Sequence, residues 1–169
     1  MKIEPGYVLG AMAIGIGATF LMDAWNMLLK RAFRIPSLNY CMLGRWIRHM
    51  PSGKFRHANI TTATPKPFEC PIGWVAHYSI GMTLALAFVV LTSGAALVRP
   101  TLGRAMLYGI CTVAFPFFIM QPSLGFGMAG SKTPSPMRAR IKSLGTHAVF
   151  GLGLYLCALV GGYVVGAGR

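Results

Sequence analysis

The sequence predicts an all-α membrane protein with four transmembrane helices. Hydrophobic residues make up 54% of the chain and charged residues 11%, whereas a soluble domain carries about 25% charged residues. The mean hydropathy is +0.58. Four apolar runs, at about 7–29, 72–98, 102–120 and 144–168, each reach the roughly 20 residues that a helix needs to cross a bilayer. We therefore expect a single membrane domain over residues 1–169.

The first and third runs have features of their own. The first run is longer than the apolar part of a signal peptide, and Glu4 interrupts the basic stretch that such a peptide begins with. It is therefore expected to remain as a helix.

The third run contains Phe115-Pro116-Phe117-Phe118. Because proline has no N–H to donate, it frees a backbone carbonyl and permits a kink in that helix.

The basic residues distinguish the two sides of the predicted bundle. The net charge is +13, from 16 Lys and Arg against three acids. Eight basic residues lie in the loop 30–71 and four in the loop 121–143, which leaves four for the other side. Positively charged loops stay in the cytoplasm, so both loops are expected there and both termini in the periplasm. Because these residues lie between apolar runs, their charge indicates anionic lipid headgroups as partners, and not nucleic acid.

The four cysteines are expected to be unpaired thiols. Cys41 and Cys70 share the first predicted cytoplasmic loop, where thiols stay reduced. Cys111 and Cys157 lie within predicted helices and are expected to pack as small apolar residues.

Three short motifs recur in the same order in the two halves of the chain. Pro-Ser-Leu follows the first and the third helix, Thr-Pro-x-Pro precedes the second and the fourth, and His-x-x-x-Gly opens the second and the fourth. The sequence thus favours a parallel 2+2 duplication, with the halves related by an axis along the membrane normal. The copies are Pro36-Ser37-Leu38 and Pro122-Ser123-Leu124, Thr64–Pro67 and Thr133–Pro136, and His77–Gly81 and His147–Gly151.

An aspartate inside the first apolar run indicates a polar site. Thr19, Asp23 and Asn26 lie on one helical face, and an intramembrane acid usually faces the bundle interior or a water-filled cavity. The cytoplasmic ends of the other three helices each add one polar residue. The candidate substrate or proton site is therefore Asp23, His77, His147, Thr19, Asn26 and Gln121.

Three functions remain open for this site. The first is proton-linked transport, or a channel-type role, for a small solute or ion, since buried Asp and His titrate near physiological pH. The second is a membrane enzyme or redox protein, in which His77 and His147 bind haem or a metal, or in which the loops bind a lipid-like substrate. The third is a structural or assembly subunit, in which the polar residues only hold the helices together.

The cytoplasmic loops supply candidate residues for binding headgroups or phosphate. The segment from Gly44 to Met50 places Trp46 and Ile47 among basic residues, as in a short amphipathic helix at the headgroup level. Arginine and lysine bind phosphate oxygens through charge-assisted hydrogen bonds. The candidates are Arg45, Arg48, Lys54, Arg56, Arg138 and Arg140.

Several segments are similar to a bacterial family of small inner-membrane proteins of unknown function. The resemblance covers nearly the whole chain and includes Gly17-Ala18-Thr19 and Asp23. It implies a four-helix protein of the bacterial inner membrane and transfers no catalytic residue, because no activity is assigned to the family. A transport role would also imply a homo-oligomer or a partner subunit, since four helices leave little room for a path. The segments are Ile35–Tyr40, Gly44-Arg45-Trp46, Phe55-Arg56-His57, Met120-Gln121-Pro122 and Thr146–Tyr155.

Overall fold

The computed structural model describes residues 5–167, and these residues form helices and connecting turns without any β-strand. Three short 3-10 turns and one π-helix, Pro116–Met120, accompany the α-helices. The α-helices are α1 (Pro5–Phe33), α2 (Tyr40–His49), α3 (Glu69–Leu91), α4 (Ala95–Val98), α5 (Leu102–Cys111), α6 (Gln121–Leu124) and α7 (Pro136–Ala167).

Four helical segments of the described chain are long and apolar enough to span a membrane. They are Gly6–Phe33, Glu69–Leu91, Leu102–Leu124 and Pro136–Gly161. This confirms the predicted fold class of an all-α protein with four transmembrane helices.

The helices do not begin and end where the apolar runs do, as α3 and α7 show. α3 stops at Leu91, because the chain turns through Gly94 in a left-handed conformation (φ 82°) before the short α4. α7 begins at Pro136, where the fixed φ of proline suits the first turn of a helix. Its first turns therefore include Arg138 and Arg140, which the sequence analysis placed in a loop.

The third membrane segment is irregular at the predicted place. α5 ends at Cys111, and a turn follows in which the Thr112 N–H donates to the carbonyls of both Tyr108 and Gly109. A π-helix then begins at Pro116. A proline removes one backbone donor from the helix, and such segments depart from regular α-geometry.

The chain divides into two compact units. The bundle unit comprises residues 5–36, 78–112 and 145–167, and the loop unit comprises residues 37–77 and 113–144. α3 and α7 each begin in the loop unit and continue into the bundle unit.

Glycines set the helix contacts of the bundle unit. A Cβ added to Gly15 of α1 would lie 2.6 Å from the Cα of Met82 in α3, and one added to Gly151 of α7 would lie 2.6 Å from the carbonyl oxygen of Ala105 in α5. Gly153 of α7 packs as closely on α1, where its added Cβ would lie 2.7 Å from Ala18 Cα. Small residues allow this approach, on which helix association in lipid depends.

The remaining neighbouring pair, α3 and α5, is joined by an aromatic side chain. The Tyr108 hydroxyl donates to the Leu84 carbonyl at 2.7 Å, and its ring lies 4.9 Å from that of Phe88. The bundle core is otherwise small and aliphatic, with Ala11, Ala85 and Leu154 among its buried residues.

The loop unit is held by polar and covalent links. Arg45 of α2 forms a bidentate ion pair with Glu69 at the start of α3, with N–O distances of 2.9 and 2.7 Å. The same guanidinium donates to the carbonyls of Ile60 and Ala63, at 3.2 and 3.0 Å.

A disulfide joins Cys41 to Cys70 in the loop unit, with the two Cα atoms 3.9 Å apart. The prediction that these two cysteines are unpaired thiols is therefore wrong. Its reasoning used the compartment expected for the loop and not the distance between the residues, which lie 29 positions apart in the chain. Cys111 and Cys157 are free, as predicted.

The two long connections meet within the loop unit. The His57 N–H donates to the Ser123 carbonyl at 2.9 Å. Gly125 has a left-handed backbone (φ 90°), and a Cβ there would lie 2.8 Å from the His57 carbonyl oxygen. Both the conformation and the close approach require glycine at this position.

Candidate functional site: polar pairs between membrane helices

The aspartate of α1 is paired within the bundle unit. The hydroxyl of Tyr78, on α3, donates a hydrogen bond to the Asp23 carboxylate. Because α1 continues to Phe33, Asp23 lies about 15 Å from the end of the helix at the standard rise per residue. This is deeper than the apolar run alone suggests.

A second polar pair joins α1 to α7. The Thr146 hydroxyl donates to the side-chain oxygen of Asn26 at 3.3 Å, and both residues are buried. Asn26 follows Asp23 by about one helical turn, so the two lie on the same face of α1.

A third pair joins α7 to the end of α5 and sets the tautomer of a histidine. Thr112 Oγ1 lies 2.5 Å from the Gly109 carbonyl and 2.7 Å from His147 Nδ1. The carbonyl can only accept, so the hydroxyl proton points to Gly109. His147 therefore donates its Nδ1–H to Thr112, which leaves the Nε2 lone pair as the basic site of the neutral ring.

These three pairs form one polar row through the bundle unit. Asp23 and Asn26 are one turn apart on α1, and Thr146 and His147 are adjacent on α7. The row therefore passes from α3 to α1, then to α7 and to α5. It places an aspartate and a histidine on neighbouring helices of the bundle unit and includes residues of all four membrane segments.

Thr19 belongs to the same face of α1 but has a packing role. Its side chain is fully buried and its hydroxyl donates to the Gly15 carbonyl at 2.7 Å. Gly81 of α3 lies directly against Thr19, because an added Cβ would collide with this hydroxyl.

The structure assigns two of the predicted site residues, His77 and Gln121, to the loop unit. The His77 ring is buried and stacks on Tyr40, with centroids 4.0 Å apart and planes 21° apart, and Trp74 lies edge-on at 6.1 Å. Gln121 is the first residue of α6. Thr19, Asp23, Asn26 and His147 belong to the bundle unit.

The predicted haem or metal ligands are two histidines, His77 and His147. Across residues 5–167 no three His, Cys, Asp or Glu side chains are grouped as a metal site requires. His77 and His147, the pair predicted to bind haem or metal, are assigned to different units.

The predicted headgroup-binding residues fall into two groups. Arg45 is bonded to Glu69 and to backbone carbonyls, and Arg140 donates to the Ala129 carbonyl at 3.0 Å. These two stabilise the loop unit. The other four are exposed: Arg48, Lys54, Arg56 and Arg138.

Two buried histidines of the loop unit form a further cluster. The rings of His49 and His57 meet edge to face, with centroids 4.9 Å apart, and His49 Nε2 lies 3.1 Å from the Thr64 carbonyl oxygen. Burial, together with the charges of His49 and Lys54, lowers the pKa of His57 below its usual value of 6.5. His57 is therefore neutral at neutral pH.

The sequence matches a model of the protein family DUF2938, described as a protein of unknown function, over residues 12–161. The chain belongs to this family. The match covers most of the chain and both units of the DUF2938 protein, which confirms the predicted membership of an uncharacterised family. Neither the curated proteins nor the solved structures gave a match.

Four residues of these contacts are absent from the predicted site: Tyr78, Thr112, Thr146 and Glu69. Tyr78 and Thr146 are each adjacent to a histidine that was selected, so a search for polar neighbours along each helix would have found them. Glu69 had a clear signal, because it is one of only three acids and precedes an apolar run within a basic loop. Thr112 had no such signal in the sequence, because a single threonine in a membrane helix commonly bonds its own backbone.

Proposed function

We propose that this DUF2938 protein has a proton-linked transport or channel-type role for a small solute or ion. The observation that carries the proposal is the polar row of the bundle unit, in which Asp23, Asn26, Thr146 and His147 connect all four membrane segments. Ionisable residues within membrane helices are costly, and they usually mark pathways for protons or ions.

The two ends of the row suit proton exchange. Asp23 accepts a hydrogen bond from Tyr78, and an acid in this position gains or loses a proton without losing its partner, since a tyrosine hydroxyl both donates and accepts. His147 offers a basic nitrogen at the other end, because its Nδ1–H is held by Thr112. The uncharged Asn26 and Thr146 lie between them.

The proposed duplication explains why the acid is found in one half only. Gly81 packs on Thr19 and Gly151 packs on Ala105, and Thr19 and Ala105 stand at the same distance before the Pro-Ser-Leu copy of their half. In this alignment Asp23 corresponds to Gly109. The first half therefore carries the acid where the second half has a close helix contact.

Proton flux into vesicles tests the proposal. The purified protein is reconstituted in liposomes containing a pH-sensitive dye, and a potassium diffusion potential drives protons inward. Vesicles with the protein are expected to acidify faster than empty vesicles, and Asp23→Asn is expected to remove the difference. Asparagine keeps the size and the hydrogen-bonding oxygen of aspartate but cannot bind a proton at neutral pH.

The control is Thr83→Val on α3, because Thr83 is exposed and its hydroxyl donates to the Ser79 carbonyl of its own helix at 2.8 Å. This variant is expected to conduct like the unmodified protein. Equal flux in Asp23→Asn and in the unmodified protein would contradict the proposal, as would unmodified vesicles that acidify no faster than empty ones. A normal thermal midpoint for Asp23→Asn shows that any loss is not unfolding.

We further propose that the protein lies in the bacterial inner membrane as a homo-oligomer. Four helices per chain leave little room for a path, and association of copies supplies one. The exposed Arg48, Lys54, Arg56 and Arg138 would contact anionic lipid headgroups at the cytoplasmic face. Cross-linking in native membranes, and binding to vesicles with and without anionic lipid, test these two points.

A further inference from the structure

The disulfide of the loop unit joins two helix starts and is open to attack from one side. Cys41 is the second residue of α2, and Cys70 is the second residue of α3. Cys70 is exposed, whereas Cys41 is half-buried. A thiolate in solution therefore has access to the sulfur of Cys70 first.

The contact between α2 and α3 does not depend on this disulfide. Arg45, one turn after Cys41 on α2, forms a bidentate ion pair with Glu69, which directly precedes Cys70 on α3. Gly44 and Gly73 bring the two backbones into direct contact, since a Cβ on Gly44 would collide with the Glu69 carbonyl and one on Gly73 with the Tyr40 carbonyl.

The aromatic stack of Tyr40 on His77 is a further contact between α2 and α3. With the sulfur–sulfur bond broken, these contacts are expected to keep the two cysteines next to each other. Reduction would then be separate from unfolding, and the reduced pair would be placed to re-form its bond.

The positions of the two cysteines favour the reactive form of the thiol. Each lies in the first turn of a helix, where the positive end of the helix dipole stabilises a thiolate.

We propose that Cys41–Cys70 is a redox-active dithiol–disulfide site whose substrate is a dithiol or disulfide, with Cys70 as the residue that forms the mixed disulfide. In the first step a thiolate of the partner dithiol attacks Cys70 Sγ, the bond to Cys41 breaks, and Cys41 leaves as a thiolate. The second thiolate of the partner then attacks its own mixed-disulfide sulfur and releases Cys70. The partner is oxidised by two electrons and the pair is reduced. The reverse steps oxidise it again.

The first experiment measures exchange in the folded protein. The starting protein carries Cys111→Ala and Cys157→Ala, so that Cys41 and Cys70 alone react with maleimide. Dithiothreitol is added without denaturant, and the reduced fraction is followed by the gel shift of a polyethylene glycol maleimide. Complete reduction within minutes is expected, with a near-ultraviolet circular dichroism spectrum that is unchanged, and oxidised glutathione is expected to restore the bond.

A structural disulfide would behave differently in the same experiment. It would resist dithiothreitol until the protein is denatured, or its reduction would abolish the near-ultraviolet spectrum. Either result overturns the proposal. Failure of the bond to re-form with oxidised glutathione also overturns it.

The second experiment assigns the roles of the two cysteines with a matched pair of variants. In the same background, Cys41→Ser leaves Cys70 and Cys70→Ser leaves Cys41. The reaction of each with a coloured aromatic disulfide reagent is expected to be about tenfold faster for Cys70, because this thiol is exposed and its thiolate is favoured. Equal rates, or a faster Cys41, would overturn the assignment of Cys70 as the residue that is attacked.

Discussion

The bundle unit and the loop unit are held together by different interactions. The bundle unit relies on glycine contacts such as Gly15 on Met82 and on polar pairs such as Thr112 with His147. The loop unit relies on the Arg45–Glu69 ion pair and on the stack of Tyr40 on His77, and it also contains the Cys41–Cys70 disulfide.

We interpret this difference through the two solvents of a membrane protein, with lipid around the four candidate spans and water around the connections between them. Lipid tails are as apolar as leucine, so burying apolar side chains between helices in a bilayer gains little, and close packing with internal hydrogen bonds decides which helices associate. Outside the hydrocarbon region, water supports charged side chains, and ion pairs, caps and cross-links become useful. We therefore expect changes to glycines to destabilise the bundle unit, and changes to charges to destabilise the loop unit.

The largest effect is expected from a side chain placed in a glycine contact of the bundle unit. Gly151→Val forces α7 away from α5, since even a Cβ would lie 2.6 Å from the Ala105 carbonyl and 3.0 Å from Met106 Cα. The free energy of unfolding should fall by about 3 kcal/mol, measured by denaturant titration in detergent. Gly145→Ala on the same helix is the control, because nothing lies within 4 Å of its added Cβ. It should be neutral or stabilising by up to about 1 kcal/mol. Equal losses in both variants would contradict the role given to the contact.

The next largest effect is expected from the ion pair of the loop unit. Arg45→Met removes charge-assisted hydrogen bonds to Glu69 and leaves its carboxylate half-buried, so the free energy of unfolding should fall by about 2 kcal/mol. Trp46 and Trp74 lie in the loop unit and report the transition by fluorescence. Arg48→Met, on the same helix but exposed, should change stability by less than about 0.5 kcal/mol. If Arg48→Met lowered the free energy of unfolding as much as Arg45→Met, only the net charge of α2 would matter.

A smaller, pH-dependent effect is expected at His57. Its pKa is lowered in the folded protein by burial and by the charges of His49 and Lys54, so the unfolded chain binds a proton more readily than the folded one. The stabilisation is fully present above the ordinary pKa of 6.5 and is lost as the pH falls below it. The free energy of unfolding, followed by tryptophan fluorescence at a series of pH values, checks this. His57→Phe should remove the dependence over this interval, and an unchanged dependence would assign it to another group.

The smallest effect is expected from the pair Asn26 and Thr146. Their hydrogen bond is long, at 3.3 Å, and such bonds between membrane helices average about 0.6 kcal/mol. A double-mutant cycle with Asn26→Ala and Thr146→Val, measured by denaturant titration in detergent, should give a coupling of that size. The same cycle with Thr83→Val in place of Thr146→Val should give none, since Thr83 is exposed and its hydroxyl donates to its own helix. Coupling with Thr83 as well would mean that the effect is not due to contact.

The prediction of free thiols at Cys41 and Cys70 was wrong because charge and proximity follow different rules. The positive loops predict a cytoplasmic location, in which thiols stay reduced, and the orientation of the termini stays a prediction. The distance between Cys41 and Cys70 depends on how α2 packs on α3, which no count of charges contains. Arg45 was predicted to bind headgroups but pairs with Glu69. A count of charges could not identify this partner, because Glu69 is distant in the chain.

The sequence by itself determined that the helices are apolar enough for a membrane, that four segments can span it, and where the third one is irregular. These properties depend on local composition, such as the length of an apolar run or the missing N–H of Pro116, and each is readable within one window of the chain. It also indicated that Asp23, Asn26 and His147 matter, since polar residues are rare in such runs.

Only the tertiary structure decided the partners of these residues. Tyr78 for Asp23, Thr146 for Asn26 and Thr112 for His147 are each chosen by which faces of different helices meet. The helix contacts that bring them together depend on where glycines allow two backbones to approach, and periodicity along one helix carries no information about the face of another. The Cys41–Cys70 bond is decided in the same way, by the packing of two helix starts that lie far apart in the chain.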